Sequence, residues 1–418
     1  MALYLANLDI TTKMIHQKRR QELLSKLERN AVIIVSTNSE QKRNGDVNYP
    51  FRPDSNFWYL TGFTEPDAVA VISKENYTIF LRPKDQKKEI WDGNRLGIKM
   101  APEELLANKA YPIGSFLEEI KLLINKDKTV YFDDSSTNII NKSIISILGQ
   151  SCKSLDSYLS EMRLKKDQDE INKMKLSAKI CAKAHMKAMK TVRPGMYEYQ
   201  VAAIFDSEFT RHNSRHAYPP IVAGGKNACV LHYIENDKKL NDGDLLLIDA
   251  GCEVSGYASD VTRTFPINGS FDDAQREIYE IVLNAQKSAI DCIKPGEKVN
   301  RPHEIACDII SKGLTKLGII KDSNGLKEFY MHNTGHWLGL DVHDVGTHKT
   351  GDDYRHFEEG MITTVEPGIY IRKNDKIDSK YWGIGVRIED DILVDANGRD
   401  ILSHSVVKEI KDIESLMN

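Results

Sequence analysis

The stretch His332-Asn333-Thr334-Gly335-His336-Trp337-Leu338-Gly339-Leu340-Asp341-Val342-His343-Asp344 puts three histidines within twelve residues, with two glycines among them. A buried neutral imidazole needs partners for its ring nitrogens, so three in so short a run point away from a plain core segment. Working outward, four carboxylates sit in equally distinctive phrases: Asp249 in LLLIDAGC, Asp260 in GYASDVTRTFP, Glu366 in TTVEPGIY and Glu389 in GIGVRIEDD. With His336 they make a donor set of four carboxylates and one imidazole. That set suits a pair of hard or borderline divalent ions better than a lone structural zinc.

The phrases also carry local structure. Residues 244–252 form an apolar run ending in Asp-Ala-Gly-Cys, and residues 257–265 alternate with Asp260, Thr262 and Thr264 on one face. A turn through Val254-Ser255-Gly256 is expected to join them as a hairpin, bringing Asp249 and Asp260 near each other across the strands. An aspartate at the end of LLLI is costly to bury unless it is paired or binds a metal. A turn cap, or a pair with Arg263, is the alternative for either residue taken alone. Pro367 and Gly368 fix a turn directly after Glu366, and Glu389 follows the alternation of Ile384, Val386 and Ile388. Arg387 shares a strand face with Glu389 and is placed to hold a ligating carboxylate. Jointly, two aspartates, two glutamates and a histidine can hold two divalent ions, with two carboxylates bridging and a water shared between the metals. Such a water loses a proton near neutral pH and attacks a carbonyl that the metals polarise. Hydrolysis of an acyl bond is the expected reaction class.

The bulk numbers agree with an enzyme. A chain of 418 residues calls for two domains. Its 57 basic residues against 61 acidic ones, a formal charge of −4, give no electrostatic reason for a nucleic-acid partner. No apolar run approaches the ~20 residues of a membrane helix, and the N-terminus MALYLANLDITTK lacks the pattern of a secretory leader. Six cysteines without CxxC pairing fit reduced thiols, so the expected location is cytoplasmic.

Residues 1–160 mix short apolar runs such as AVIIVST, AVAVISK and YTIFLRP with charged helical stretches, an α/β domain with its own sheet. Within it, Phe57-Trp58-Tyr59 and Trp91-Asp92-Gly93-Asn94-Arg95 read as core or interface aromatics. The basic cluster Lys18-Arg19-Arg20 reads as a solvated helix face. A capping box of Asp167 and Glu170 opens a helix with Ile171, Met174, Ala178 and Cys181 at helical spacing, stopped by Pro194-Gly195. The second domain is therefore expected over 165–418. A later helix over 273–292 runs into Ile293-Lys294-Pro295-Gly296, echoing Val192-Arg193-Pro194-Gly195. Each echo precedes a β-rich stretch carrying two of the acidic candidates, which hints at an internal pseudo-repeat with the site at its centre.

These phrases, together with FWYLTGFTEPDAV and EIWDGNRLG in the first domain, strongly resemble the aminopeptidase P branch of the pita-bread metallopeptidases over nearly the whole chain. The resemblance implies an α/β (α+β) architecture, with an N-terminal creatinase/aminopeptidase-P-like domain before a pita-bread catalytic domain with a pseudo-twofold repeat. It implies that Asp260, His336, Glu366 and Glu389 hold one metal ion while Asp249, Asp260 and Glu389 hold the other, manganese (Mn2+) being usual in the family. Glu366 would also accept the proton of the metal-bridging water, leaving the attacking hydroxide, and hand that proton onward. His232 and His343 match histidines that contact substrate and stabilise the tetrahedral intermediate, His332 matches one near the residue after the cleaved bond, and Arg387 matches one supporting a metal-bound aspartate. Implied substrates are peptides with proline second, a tertiary amide that general aminopeptidases handle poorly. Implied too is a homotetramer or homodimer, with N-terminal domains in the subunit contacts and the Trp91 region reaching a neighbour's site. Residues Arg215 to Pro220 depart from the branch's usual forms, which bears on the wall of the proline pocket. The rivals are a prolidase using the same five ligands, the methionine aminopeptidases, which generally lack so large an N-terminal domain, and a metal-free binding protein, which would have lost ligand positions kept here.

Overall fold

The computed structural model describes residues 10–124, 127–133, 144 and 152–418, so the first nine residues of the leader reading lie outside it. The chain divides into two compact units, Met1–Met162 and Arg163–Asn418.

In the first unit, α1 (Ile10–Ser25) precedes β1 (Ala31–Ser36), α2 (Ser55–Thr61), β2 (Val69–Ile72), β3 (Tyr77–Leu81), β4 (Lys109–Pro112), β5 (Thr129–Phe132) and the short β6 (Lys153–Ser154). The strands form one mixed sheet in the order β4-β3-β2-β1-β5-β6. β1 pairs antiparallel with β2 and parallel with β5. Every residue of β1 and β3 is buried, as expected of strands covered on both faces.

The basic cluster on α1 is not the solvated face its composition predicts. Lys18 is exposed, but Arg19 and Arg20 are buried: Arg19 lies over the Tyr59 ring, and Arg20 lies over Tyr77 while donating to the Leu60 carbonyl at 2.8 Å. An arginine can be buried when its planar head stacks on a ring and finds carbonyls. Of the aromatics, Phe57 and Tyr59 are core, whereas Trp91 stands 87% exposed on a short helix.

The second unit repeats one plan. Helices α3 (Gln168–Thr191) and α4 (Glu198–Arg211) precede β7 (Ile221–Gly224), β8 (Leu245–Ala250), β9 (Cys252–Val254), β10 (Tyr257–Ala258) and β11 (Val261–Pro266). Helices α5 (Asp273–Asp291) and α6 (Arg301–Lys316) then precede β12 (Ile362–Val365), β13 (Gly368–Ile371), β14 (Ile384–Arg387), β15 (Asp390–Asp395) and β16 (Gly398–Ile401), and α7 (Ile410–Met417) closes the chain. Both long helices begin in capping boxes, Asp167 with Glu170 and Asp272 with Gln275.

Strand β8 lies between β7 and β11. Its alternation buries Leu246 and Ile248 in the main core and Leu247 in a smaller cluster with Tyr233 and Tyr370. Asp249 shares the Leu247 face. The two halves meet where Glu389 N–H donates to the Thr262 carbonyl at 3.0 Å and Arg387 N–H to the Thr264 hydroxyl at 3.2 Å.

The expected hairpin forms, with Leu245–Ala250 paired against Val261–Pro266. Asp249 stands opposite Thr262, not Asp260, and the turn at Ser255 and Gly256, both at positive φ, closes the separate short pair β9 and β10. The alternation of residues 257–265 breaks at Ser259-Asp260. There Gly251 passes the Ser259 carbonyl so closely that a Cβ would lie 1.8 Å from its oxygen, so only glycine fits.

Candidate metal and catalytic centre

The first two carboxylates are joined by a hydroxyl. Tyr218 OH donates between Asp249 Oδ1 at 2.6 Å and Asp260 Oδ1 at 2.5 Å. Asp260, displaced from the ladder, is fixed through its backbone, whose N–H faces both oxygens of Asp391 at 3.2 Å. Asp249 Oδ2 accepts from Arg387 Nη2 at 2.6 Å. The Arg387 head also donates to Thr262 Oγ1 and to Tyr370 OH, so its plane is set by three partners. Arg263, the sequence alternative as an aspartate partner, pairs instead with Asp390.

The histidine-rich stretch has little regular structure, yet it is held like a strand. Thr364 N–H donates to the His336 carbonyl, Glu366 N–H to that of Thr334 and Leu338 N–H to that of Ile362, so residues 334–338 lie along β12. Gly335 makes this possible: a Cβ there would sit 2.1 Å from the Thr364 carbonyl oxygen. His336 and Glu366 are thereby brought side by side, Nε2 to Oε1 at 3.6 Å. His336 Nδ1 lies 3.0 Å from the Trp337 carbonyl, which can only accept, so Nδ1 carries a proton and Nε2 points to the carboxylates.

Glu389, in the short link between β14 and β15, accepts from Thr262 Oγ1 at 2.6 Å. Ligand atoms of Asp260, His336 and Glu389 all lie within 4.8 Å of one another. Asp249 and Glu366 flank this trio through Tyr218 and His336. Burial, then the charges of Asp260, Glu366 and Asp249, push the Glu389 carboxyl well up; burial likewise raises Glu366 and Asp249. For Asp260 burial is the largest single influence and raises it, but the hydrogen bond and charge of His336, the Tyr218 bond and the charge of Arg387 together bring its carboxyl down. Burial disfavours a charged His336, but the Asp260 bond and the charge of Glu366 carry it up to about 9. A divalent cation among these oxygens would relieve their mutual repulsion, and hard oxygens plus one imidazole are a fitting donor set for it.

The remaining candidates surround this centre. His332 donates or accepts at Tyr370 OH, 2.9 Å from Nε2, and burial pushes it down to about 4. His343 is exposed and its ring lies 4.2 Å from that of His336, centroid to centroid. His232 is exposed on the loop after β7, close enough for its charge to act on both His332 and His343. Reading the sequence missed Tyr218, Thr262, Tyr370 and Asp391 as parts of the centre. Thr262 was visible as Asp260's neighbour on one strand face; Tyr218 had only its place before two prolines.

Residues 172–396 match metallopeptidase family M24, and residues 16–131 match the aminopeptidase P N-terminal domain. The chain belongs to family M24. Among M24 relatives, it is 45% identical over 417 residues to an Xaa-Pro aminopeptidase of Haemophilus influenzae, covering 96% of each chain. The solved aminopeptidase PepP of Pseudomonas aeruginosa superposes with a TM-score of 0.93 at 41% identity, covering 97% of this chain and 98% of that one. Zinc-substituted Escherichia coli aminopeptidase P in complex with product gives 0.92 at 40% identity, with coverage of 97% and 98%. The fold of the second unit is thus the pita-bread fold of metal-dependent peptidases. No helix among the described residues is long and apolar enough to cross a membrane.

Proposed function

We propose that the chain is an Xaa-Pro aminopeptidase, a metal-dependent hydrolase that releases the N-terminal residue from peptides with proline second. The observation that carries this is the convergence of Asp260, His336 and Glu389 within 4.8 Å, flanked by Asp249 and Glu366, in a chain so similar to proteins of that name. The same similarity favours the aminopeptidase over a prolidase, and the full set of ligand positions speaks against a metal-free binding role.

In this reading Asp249, Asp260, His336, Glu366 and Glu389 would hold two divalent ions, Mn2+ for preference. Bound there, they supply an activated water and polarise the scissile carbonyl. The rest is done by side chains. Glu366 takes the proton of the attacking water and passes it toward the leaving nitrogen. His232 and His343 contact the substrate and stabilise the tetrahedral intermediate. His332, held by Tyr370, lines the site beside the residue after the cleaved bond, and Arg387 keeps Asp249 oriented. Residues 1–160 serve subunit contacts and the site rim in a cytoplasmic homotetramer or homodimer, with the region of exposed Trp91 reaching a neighbouring subunit's site.

The test is an assay of chelator-stripped protein, with and without manganese, on an Xaa-Pro-Xaa tripeptide beside the matching Xaa-Pro dipeptide. Manganese-dependent release of the first residue from the tripeptide alone is expected. Preference for the dipeptide would move the assignment to prolidase, and inactivity on both with metal bound would refute it.

A further inference from the structure

Outside the metal centre, the second unit buries a carboxylate whose hydrogen-bond donors are all uncharged. Glu198, the first residue of α4, is 0% exposed. Its Oε1 accepts from Gly224 N–H at 2.8 Å and Asn227 Nδ2 at 2.9 Å; its Oε2 accepts from Tyr233 OH at 2.7 Å and Lys238 N–H at 2.9 Å. All four donors are neutral, and all belong to the segment from Gly224 to Lys238. Glu198 N–H also donates to the Lys238 carbonyl at 2.9 Å. One residue therefore ties both ends of that segment, and His232 lies within it.

We infer that Glu198 is a positioning residue for His232, acting through the loop and chiefly through Tyr233. His232 is exposed, so core packing does not orient it; Tyr233 beside it is 7% exposed and anchored on Glu198. The neighbouring Val230 and Ile234 are exposed and Leu231 is only half-buried against the same small cluster, so Tyr233 is the fully buried residue next to the histidine. Burying a carboxylate is expensive, and four hydrogen bonds together with the N-terminus of α4 offset that cost. The chemistry is specific to a carboxylate. Each oxygen faces one backbone N–H, from Gly224 or Lys238, that cannot turn into an acceptor. An amide in either orientation would set its NH2 against one of them. Asn236 completes the frame, accepting from Val222 N–H at 2.9 Å and donating to the Pro220 carbonyl at 2.8 Å.

The inference rests on the proposed role of His232, and the experiment separates the two. Full-length Glu198→Gln, His232→Ala and the double variant are compared for kcat, KM, manganese content and melting temperature on an Xaa-Pro-Xaa peptide. Misplacing a catalytic group costs on the order of 10- to 100-fold. Glu198→Gln is therefore expected to lower kcat/KM by roughly that factor with the same kcat-against-KM split as His232→Ala, and the double variant to be no worse than the poorer single one. Manganese content should stay at the wild-type value. Multiplicative losses, or a lowered melting temperature with kcat/KM intact, would overturn the positioning role while leaving that of His232 in place. A fully active His232→Ala enzyme would instead overturn the assignment of His232. Should Glu198→Gln fail to fold, Tyr233→Phe takes its place in the same cycle, removing the one donor beside His232 with the same outcomes deciding.

Discussion

Glu389 and Asp390 are consecutive residues with nearly the same burial, 1% and 0% exposed, and opposite electrostatics. Asp390 faces a balanced cluster: Arg263 Nη2 at 2.7 Å and Ser403 Oγ at 2.6 Å on one oxygen, Gln286 Nε2 at 2.7 Å and Lys408 Nζ at 2.6 Å on the other. Burial raises its carboxyl, but the charges of Arg263 and Lys408 hold it far below the usual range. Glu389 turns the other way, toward three more carboxylates, and burial plus their charges push it well up. Burial alone therefore does not separate a structural acid from a ligand. What separates them is whether the protein supplies the opposite charge or leaves that to a guest.

The comparison breaks first at turnover. Glu389→Ala or Asp260→Ala should abolish hydrolysis and reduce bound metal, read by elemental analysis beside the peptide assay; a fully active Glu389→Ala enzyme is incompatible with a two-metal centre. Asp390→Ala should do the reverse, leaving Arg263 buried without its partner. A loss of about 3–5 kcal/mol in unfolding free energy is expected from denaturant titration, with metal content per folded molecule unchanged. His343→Ala should keep its metals and lose on the order of 100- to 1000-fold in kcat/KM, because a contact to the substrate and the tetrahedral intermediate is removed. The smallest effect concerns Asp344, a second balanced acid, bonded to Arg163 Nη2 at 2.6 Å and Lys166 Nζ at 3.0 Å. Burial alone would raise it, but Lys166 and Arg163 bring its carboxyl below the usual range. Its contribution is thus present above the unfolded value of about 4 and is lost as pH falls through the lower folded value. Urea midpoints measured from pH 7 down to pH 3 should fall less steeply in Asp344→Asn than in the wild type, and an unchanged slope would remove Asp344 from the acid response.

Much of the centre was legible because its candidate ligands sit in short phrases where a polar residue interrupts an apolar run. Asp249 ends a strand whose two faces enter two cores, and the capping boxes at Asp167 and Asp272 mark both long helices. What stayed hidden depends on contacts between distant segments. Asp260 leaves the alternation of its strand because Gly251 must pass the Ser259 carbonyl, which no periodicity predicts. Tyr218 joins two aspartates 31 and 42 residues away. Arg19 and Arg20 look solvated by composition and are buried because Tyr59 and Tyr77 offer ring faces. Nor does RIEDD say which acid will be balanced, since Arg263, Gln286 and Lys408 come from three other parts of the chain.

The most direct test is calorimetric titration of manganese into chelator-stripped wild type, Glu389→Gln and Asp390→Asn. Two ions per chain are expected in the wild type and in any folded Asp390→Asn protein, with binding weakened or lost in Glu389→Gln. A Glu389→Gln protein that still takes up two ions with wild-type affinity would contradict the account.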